Sequence, residues 1–169
     1  MLNEREIKKM IEERDLVENY PHLETQIQPN GFDITVDKIF KFSEGGKLDF
    51  SNSEREIPEC EEIEPEKKDE DDKYGWWDLE AGAYKVKTNE RVNLPEDLSA
   101  LGFPRSSLLR MGALVQQAVW DAGFSGTGEF ILLVENQDGV EIKENARVAQ
   151  LVFMDLEEVD EGYRGVYNE

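Results

Sequence analysis

Four short motifs in this 169-residue chain place charged or hydroxyl side chains beside glycines and strand-forming residues. They are Asn30-Gly31-Phe32-Asp33-Ile34, Pro104-Arg105-Ser106-Ser107-Leu108, Trp120-Asp121-Ala122-Gly123-Phe124-Ser125-Gly126 and Arg147-Val148-Ala149-Gln150. Guanidinium and hydroxyl groups suit phosphate oxygens, and carboxylates can orient water or support a divalent metal ion. Together the motifs predict a site for a phosphorylated, sugar-bearing ligand, and a nucleotide enzyme is the leading hypothesis.

The charge of the chain narrows the class of partner. There are 39 acidic and 19 basic residues, which give a net charge of −20 and a pI near 4.4. Such a field repels nucleic-acid backbones, so nucleic acid is not expected as a partner. A free nucleotide is also an anion, and its binding requires local arginines and a divalent cation. The candidate arginines are Arg105, Arg110, Arg147 and Arg164.

Length and cysteine content predict one domain over residues 1–169 without a disulfide. The single cysteine, Cys60, has no partner and lies among glutamates, which disfavour a thiolate. No apolar run approaches the roughly 20 residues of a membrane span, and the chain starts with charged residues, unlike a signal peptide. We therefore expect a cytoplasmic protein with no membrane partner.

An amphipathic helix is predicted over residues 3–15. The apolar residues Ile7, Met10 and Ile11 recur at helical spacing, and Asn3 with Glu6 forms a capping-box pattern. A second, shorter helix of one or two turns is predicted after Pro104, over residues 106–111.

The rest of the chain shows short strand patterns separated by turn residues. In residues 31–42, Phe32, Ile34 and Val36 alternate with polar residues, which predicts a strand with one polar face. Other strands are predicted at 83–88, 90–94, 112–120, 129–135 and 147–154. Many short strands at close intervals favour an all-β barrel or jelly roll.

Two segments stand apart from this pattern. Residues 43–74 are highly charged and contain a Gly-Gly pair and two prolines, which predicts a mobile acidic insertion or lid because little apolar surface is available for burial. Residues 160–169 form a short C-terminal tail.

The ordered motifs resemble the superfamily of trimeric dUTPases and dCTP deaminases. The resemblance extends over most of the chain and includes Ala81-Gly82-Ala83-Tyr84, Thr88-Asn89-Glu90 and Leu94-Pro95 between the first two motifs. It implies a distorted jelly-roll β-barrel that forms a homotrimer with shared active sites. It also implies magnesium-dependent hydrolysis of dUTP to dUMP and pyrophosphate, or deamination of dCTP to dUTP.

The resemblance assigns a role to each motif. Asp121 would orient the attacking water and hold the sugar 3′-hydroxyl, although an aspartate beside Gly123 also suits a turn. Asp33 would support magnesium through water; without the family pattern it would be interpreted as an exposed strand carboxylate. Phe124 would stack under deoxyribose and exclude ribonucleotides, or else belong to the core.

Phosphate binding is expected from the second and fourth motifs. Arg105, Ser106 and Ser107 match the second motif, although serine is also a good N-cap. Gln150 matches the fourth-motif glutamine, and its neighbour Arg147 is open to interpretation as a surface charge. The remaining candidates for phosphate contact are Arg110 and Arg164.

The choice between hydrolase and deaminase depends on one strand position. A deaminase needs a glutamate after the third motif, and the corresponding residue is Leu133, which cannot transfer a proton. A bulge in this strand would instead bring Glu129 or Glu135 into the position. The prediction is therefore a dUTPase, similar to archaeal-type dUTPases in its short tail. The alternatives are a dCTP deaminase or bifunctional enzyme, and thirdly a nucleotide-binding barrel without catalysis.

Overall fold

The computed structural model describes residues 1–157 and 159–168 of the chain. Within this part there are three helices: α1 (Glu4–Arg14), α2 (Leu23–Gln26) and α3 (Ser106–Arg110). The strands are β1 (Val17–Glu18), β2 (Ile27–Gln28), β3 (Gly31–Phe42), β4 (Cys60–Ile63), β5 (Trp76–Leu79), β6 (Gly82–Asn93), β7 (Leu98–Pro104), β8 (Ala113–Gln116), β9 (Ser125–Val134), β10 (Val140–Lys143) and β11 (Arg147–Asp155).

Most strands belong to one antiparallel sheet with the order β7-β11-β3-β6-β9-β8. Strand β1 extends it at β6, and β2 and β4 pair with the two ends of β3. The sheet curls until its edges approach, so that Ala100 in β7 bridges to Trp120, which follows β8. Strands β5 and β10 form a separate two-stranded ribbon. The predicted all-β jelly-roll barrel is confirmed.

Helix α1 begins where the sequence pattern placed it. Asn3 caps the helix by accepting hydrogen bonds from the backbone N–H groups of Arg5 and Glu6, while the Glu6 side chain accepts from Asn3. Ile7 and Ile11 are buried against the barrel. No helix among the described residues is both long and apolar enough to cross a membrane.

The first half of β3 is buried on both faces, from Gly31 to Val36. The face expected to be polar and exposed instead carries two buried polar residues, Asp33 and Thr35. Helix α2 covers this face. Its Gln26 side chain donates a hydrogen bond to the backbone carbonyl of Asp33. Polar groups removed from water must find partners inside the protein, and these partners form the site described below.

Strand boundaries differ from the predictions where glycine, proline or asparagine interrupts the pattern. The strands predicted at 83–88 and 90–94 are one strand, β6, because a bulge between Lys87 and Arg91 accommodates Asn89 within the pairing. The strand predicted at 112–120 is shorter, spanning only β8. Strand β7 was not predicted, since it contains Gly102 and ends at Pro104, and the ribbon strands β5 and β10 were also missed.

The acidic segment 43–74 has more order than its composition predicts. Strand β4 pairs with β3, placing Ile63 opposite Ile39, and two bridges join Lys47 to Glu56 and Glu66 to Trp76. The low apolar content of the segment therefore does not prevent β4 from pairing with β3, and the mobility of the segment stays a prediction. Its role as a lid stays a prediction.

Candidate active site

Asp33 in β3 is the common partner of two arginines. Its Oδ2 lies 2.9 Å from Nε of Arg105 and 3.1 Å from Nη1 of Arg147. The Asp33 side chain is 2% exposed, whereas those of Arg105 and Arg147 are 28% and 30% exposed. Burial raises the pKa of Asp33, and the two guanidinium groups oppose this by favouring the carboxylate. A buried acid thus holds two arginines that each keep part of their surface accessible.

Strand β11 brings three of the four motifs together. Gln150 pairs with Asp33 of β3 on one side and with Phe103 of β7 on the other. The backbone N–H of Arg105, just beyond β7, donates to the carbonyl of Val148 at 3.1 Å. The first, second and fourth motifs therefore lie next to one another on the neighbouring strands β3, β7 and β11.

Gly31 has a steric role beneath Gln150. A Cβ atom at position 31 would lie 2.5 Å from the backbone oxygen of Leu151 and 2.6 Å from Nε2 of Gln150. The absence of a side chain lets the Gln150 side chain lie directly over β3. Its amide makes no hydrogen bond within the described part of the chain, so it has both donor and acceptor capacity for a ligand.

Helix α3 follows Arg105 and presents further polar groups to solvent. Ser106 and Ser107 are exposed and occupy its first two positions rather than the cap, which Arg105 occupies without a capping side-chain bond. The capping interpretation of these serines is therefore wrong. Their hydroxyls lack protein partners among the described residues. Arg110 is exposed at the other end of the helix and does not contact Asp33.

Asp121 lies elsewhere on the barrel. Its neighbour Trp120 pairs with Ala100, five residues before Arg105 along the chain, and an extended strand advances about 3.3 Å per residue, or roughly 16 Å in total. The side chain of Asp121 is exposed and forms no ion pair or hydrogen bond with any described residue. One chain thus brings together Asp33, Arg105 and Gln150 and leaves Asp121 separate.

Comparison with known proteins identifies the family of this chain. Residues 1–156 match the family described as dCTP deaminase-like. The chain belongs to this family.

Among its relatives, proteins named "Probable deoxyuridine 5′-triphosphate nucleotidohydrolase" are 44% identical over 167 residues in Archaeoglobus fulgidus and 46% identical over 169 residues in Methanosarcina mazei. Both alignments cover 99% of this chain and 95% of the relative. A Methanocaldococcus jannaschii protein, "Deoxyuridine 5′-triphosphate nucleotidohydrolase", is 42% identical over 85% of this chain and 88% of its own.

Comparison with solved structures supports the fold. The 2′-deoxycytidine 5′-triphosphate deaminase from Agrobacterium tumefaciens superposes with a TM-score of 0.62 at 20% identity. The match covers 90% of this chain and 46% of that chain. At this identity the similarity establishes the barrel and its connectivity.

Phe124 is packed edge-on between two other aromatic residues. Its ring centroid is 5.4 Å from Trp120 and 5.6 Å from Tyr163, with interplanar angles of 85° and 78°. Such T-shaped pairs stabilise one ring orientation. The side chain remains only half-buried, so both interpretations, core residue and sugar platform, stay compatible with its position.

The C-terminal tail lies against the third motif of the same chain. The N–H of Tyr163 donates to the carbonyl of Ala122 at 2.7 Å, and the N–H of Ser125 donates to Oδ1 of Asn168 at 2.9 Å. Beside them is a cleft of about 430 Å³ whose lining includes Asp121 and Tyr163. Arg164 is largely exposed and pairs with Glu161, so within one chain it is not part of the Asp33 cluster.

The resemblance predicts the glutamate of a deaminase on β9, where the corresponding position in this chain is Leu133. Strand β9 pairs with β8 without a register shift, and Leu133 lies between Leu114 and Ala83. The pairing of β9 with β6 is irregular between Lys87 and Arg91, so the extra residues belong to β6 and the alternative of a bulge in β9 is not observed. Glu129 is exposed on the outer face and pairs with Lys85, so no bulge in β9 moves it to position 133.

The surroundings of Asp33 do not favour direct contact with a metal ion. Two guanidinium groups already contact the carboxylate and repel a further cation, and almost no solvent reaches the side chain. The described residues contain no group of three or more acidic, histidine or cysteine side chains arranged to hold a metal ion. Within one chain the Asp33 carboxylate binds two arginines, and its support of magnesium through water stays a prediction.

Sequence reasoning undervalued Arg147 and missed Glu90. Arg147 was open to interpretation as a surface charge, although its Nη1 also donates to the carbonyl of Thr25 at 2.7 Å. Glu90 is fully buried in β6. The sequence contained a signal for the burial of Glu90: every second residue from Val86 to Val92 faces the core, and position 90 is one of them. The prediction of two strands separated at Asn89 concealed this continuous alternation.

Proposed function

We propose that this protein hydrolyses dUTP to dUMP and pyrophosphate. The observation that carries the proposal is the 44–46% identity, over almost the whole chain, to archaeal proteins named as probable dUTP nucleotidohydrolases. The positively charged cluster around Asp33 and the leucine at position 133 are consistent with it. The arginines of the cluster would bind phosphate. Leucine at position 133 cannot transfer the proton that deamination would need.

The triphosphate would bind where the first, second and fourth motifs meet, beside the arginines that Asp33 holds. Nε of Arg105 faces Asp33, so the terminal amino groups of its guanidinium are directed to a ligand in a planar fork. The hydroxyls of Ser106 and Ser107 and the amide of Gln150 supply further hydrogen bonds. Asp33 contributes by holding the arginines, which reduces the side-chain entropy lost when phosphate binds.

Asp121 would orient the water that attacks the α-phosphate. A new bond forms between the water oxygen and the α-phosphorus, the bond to the bridging oxygen breaks, and pyrophosphate leaves. The free, exposed carboxylate of Asp121 can accept the proton that the water loses. Positive groups at the phosphates then stabilise the negative charge that develops on the leaving oxygens.

A homotrimer with shared active sites would complete this machinery. The separation of Asp121 from Arg105 within one chain supports this, because hydrolysis requires the water and the phosphate in one place. Closed cyclic symmetry lets each copy offer its arginine cluster to one neighbour and its third motif to the other. In such an arrangement Phe124 would lie beside the deoxyribose, and Arg110 and Arg164 would approach the phosphates of a neighbouring site.

Magnesium would enter as part of the substrate. This ion usually retains several waters and binds through substrate phosphates with few protein carboxylates. Such a role agrees with the free carboxylate of Asp121 and requires no metal at Asp33. When bound, the ion would neutralise charge on the triphosphate. A cytoplasmic location and the lack of a nucleic-acid or membrane partner stay predictions.

Incubation with dUTP and with dCTP, each with magnesium, tests the proposal. We expect dUMP and pyrophosphate from dUTP, no ammonia from dCTP, and loss of at least about 100-fold in kcat for Asp121→Asn, in keeping with removal of a general base. Glu129→Gln serves as the matched control and should retain activity. Conversion of dCTP to dUTP would favour the deaminase alternative. Tight binding of a nonhydrolysable dUTP analogue, with dUTP left intact, would favour the non-catalytic barrel.

A further inference from the structure

Glu90 is a buried carboxylate that the proposed chemistry does not use directly. Its side chain is fully enclosed, with 0% exposure, and forms no ion pair among the described residues. An ionisable group kept inside a barrel without an opposite charge is costly, and such groups are concentrated at functional sites. Its hydrogen bonds indicate what it holds.

All partners of the Glu90 carboxylate are hydrogen-bond donors. The N–H of Thr35 donates to Oε2 at 2.9 Å, and the Thr35 hydroxyl donates to Oε1 at 2.6 Å. Nε2 of Gln26 donates to Oε1 at 2.7 Å. The Thr35 hydroxyl can act as donor because its oxygen accepts from Nδ2 of Asn89 at 2.9 Å. The network therefore requires a group that accepts in every direction, which a carboxylate provides.

The same network extends to the residues that hold the arginines. Nε2 of Gln26 also donates to the backbone carbonyl of Asp33 at 2.9 Å, while its Oε1 accepts from the N–H of His22. The neighbouring carbonyl of Thr25 accepts from Arg147, which in turn contacts Asp33. Glu90 thus bonds both the segment that follows Asp33 in β3 and the helix that bonds Arg147.

We propose that Glu90 is a positioning residue for triphosphate binding, acting through Gln26 and Thr35 to orient Asp33 and its two arginines. The inference rests on the proposed function, since it takes the arginines to be the phosphate-binding groups. It assigns the buried charge a task other than contact with substrate. The hydrogen-bonding polarity of Glu90, rather than its volume, carries the effect.

Glu90→Gln tests this polarity with little change in volume. In either orientation of the new amide, its NH₂ group faces a donor, namely the Thr35 N–H or the pair formed by the Thr35 hydroxyl and Gln26. We expect affinity for a nonhydrolysable dUTP analogue to fall about tenfold, equivalent to about 1.4 kcal/mol. Binding of deoxyuridine, which has no phosphate, should be unchanged. In kinetics, KM for dUTP should rise about tenfold with kcat changed less than about threefold, the pattern of lost binding energy common to ground and transition states.

Two further variants separate positioning from general destabilisation. Glu62→Gln, on the outer strand β4, removes one exposed carboxylate near β3 and should bind the analogue as the wild type does. Gln26→Met removes the link to Asp33 without a large change in volume and should reproduce the selective loss. The double variant with Glu90→Gln should lose no more than the stronger single variant, because both changes break one connection.

Each outcome leads to a distinct conclusion. Folded Glu90→Gln with wild-type affinity for the analogue would overturn the inference, as would equal weakening of analogue and deoxyuridine. If Glu90→Gln does not fold, Gln26→Met decides the matter by the same comparison. Wild-type protein that fails to bind the dUTP analogue would instead contradict the proposed function, so the two failures are distinguishable.

Discussion

At the scale of single residues, Asp33 shows how a buried charge can serve a surface function. Its carboxylate is almost inaccessible to solvent, whereas both arginines that contact it keep part of their side-chain surface exposed. Two cations around one anion leave a local excess of positive charge on a chain whose net charge is −20. This local excess gives an anionic ligand a favourable place to bind despite the unfavourable field of the whole protein.

Gly31→Ala should perturb the same candidate site, because the Gln150 side chain lies against this glycine. The added Cβ would approach the Leu151 backbone oxygen to 2.5 Å, and a backbone atom cannot move aside as a flexible side chain would. We expect the free energy of unfolding to fall by about 1–3 kcal/mol and KM for dUTP to rise as Gln150 is displaced. Urea denaturation and steady-state kinetics measure the two effects.

Gly45→Ala is the matched control for this change. A Cβ at position 45 has no heavy atom within 4 Å, so its effect on unfolding should stay within about 0.5 kcal/mol. Equal effects at the two positions would show that the close approach of Leu151 and Gln150 in β11 is not what requires glycine at position 31.

At the scale of elements, β11 is the strand that makes the site. It pairs with β3 and β7 at once, so Gln150 faces Asp33 on one side and the approach to Arg105 on the other. The sequence motifs predicted that these residues share a function. Their adjacency follows from a sheet order, β7-β11-β3, in which sequence neighbours are not spatial neighbours, and local patterns carry no information about such long-range pairing.

The elements that were predicted well have strong local signals. Helix α1 has a capping box and an apolar stripe, and β3 has clear alternation. Strand β7 was missed because Gly102 and Pro104 usually mark strand ends, and its pairing with β11 is what overrides that preference. Burial of Asp33 was also missed, because local pattern does not reveal that α2 covers the polar face of β3.

The network that joins β3, β6 and α2 predicts a pH dependence of stability. Burial raises the pKa of Glu90 above its ordinary value of 4.5, while the hydrogen bonds from Thr35 and Gln26 oppose the shift. The folded protein therefore binds this proton more tightly than the unfolded chain does. Ionisation then costs the folded state stability as pH rises from about 4.5 to the raised pKa, and the cost stays constant above it.

Urea denaturation of the wild type and Glu90→Gln over a pH series measures this term. The unfolding free energy of the wild type minus that of the variant should decrease as pH rises through the window. Because Glu90→Gln also alters the surroundings of Asp33, the same comparison in an Asp33→Asn background separates the titration of Glu90 from that of Asp33. A difference that increases with pH would contradict a raised pKa at Glu90.

At the scale of the whole molecule, the proposed function divides the site between two regions of the chain. The arginine cluster lies around Asp33, and the exposed carboxylate of Asp121 lies in the cleft beside the tail. In the proposed mechanism, neither region alone brings the attacking water to a bound phosphate. The proposed hydrolysis therefore depends on assembly, because it would need the third motif of one copy at the arginine cluster of the next.

Mixing two inactive variants tests this central claim most directly. Asp121→Asn keeps the arginine cluster, and Arg105→Ala keeps the water-orienting carboxylate, so each homotrimer should fail to hydrolyse dUTP at a significant rate. After unfolding and refolding together in equal amounts, random trimers should recover about a quarter of wild-type activity, since one interface in four joins two intact halves. A mixture as inactive as its components would contradict a site shared between copies.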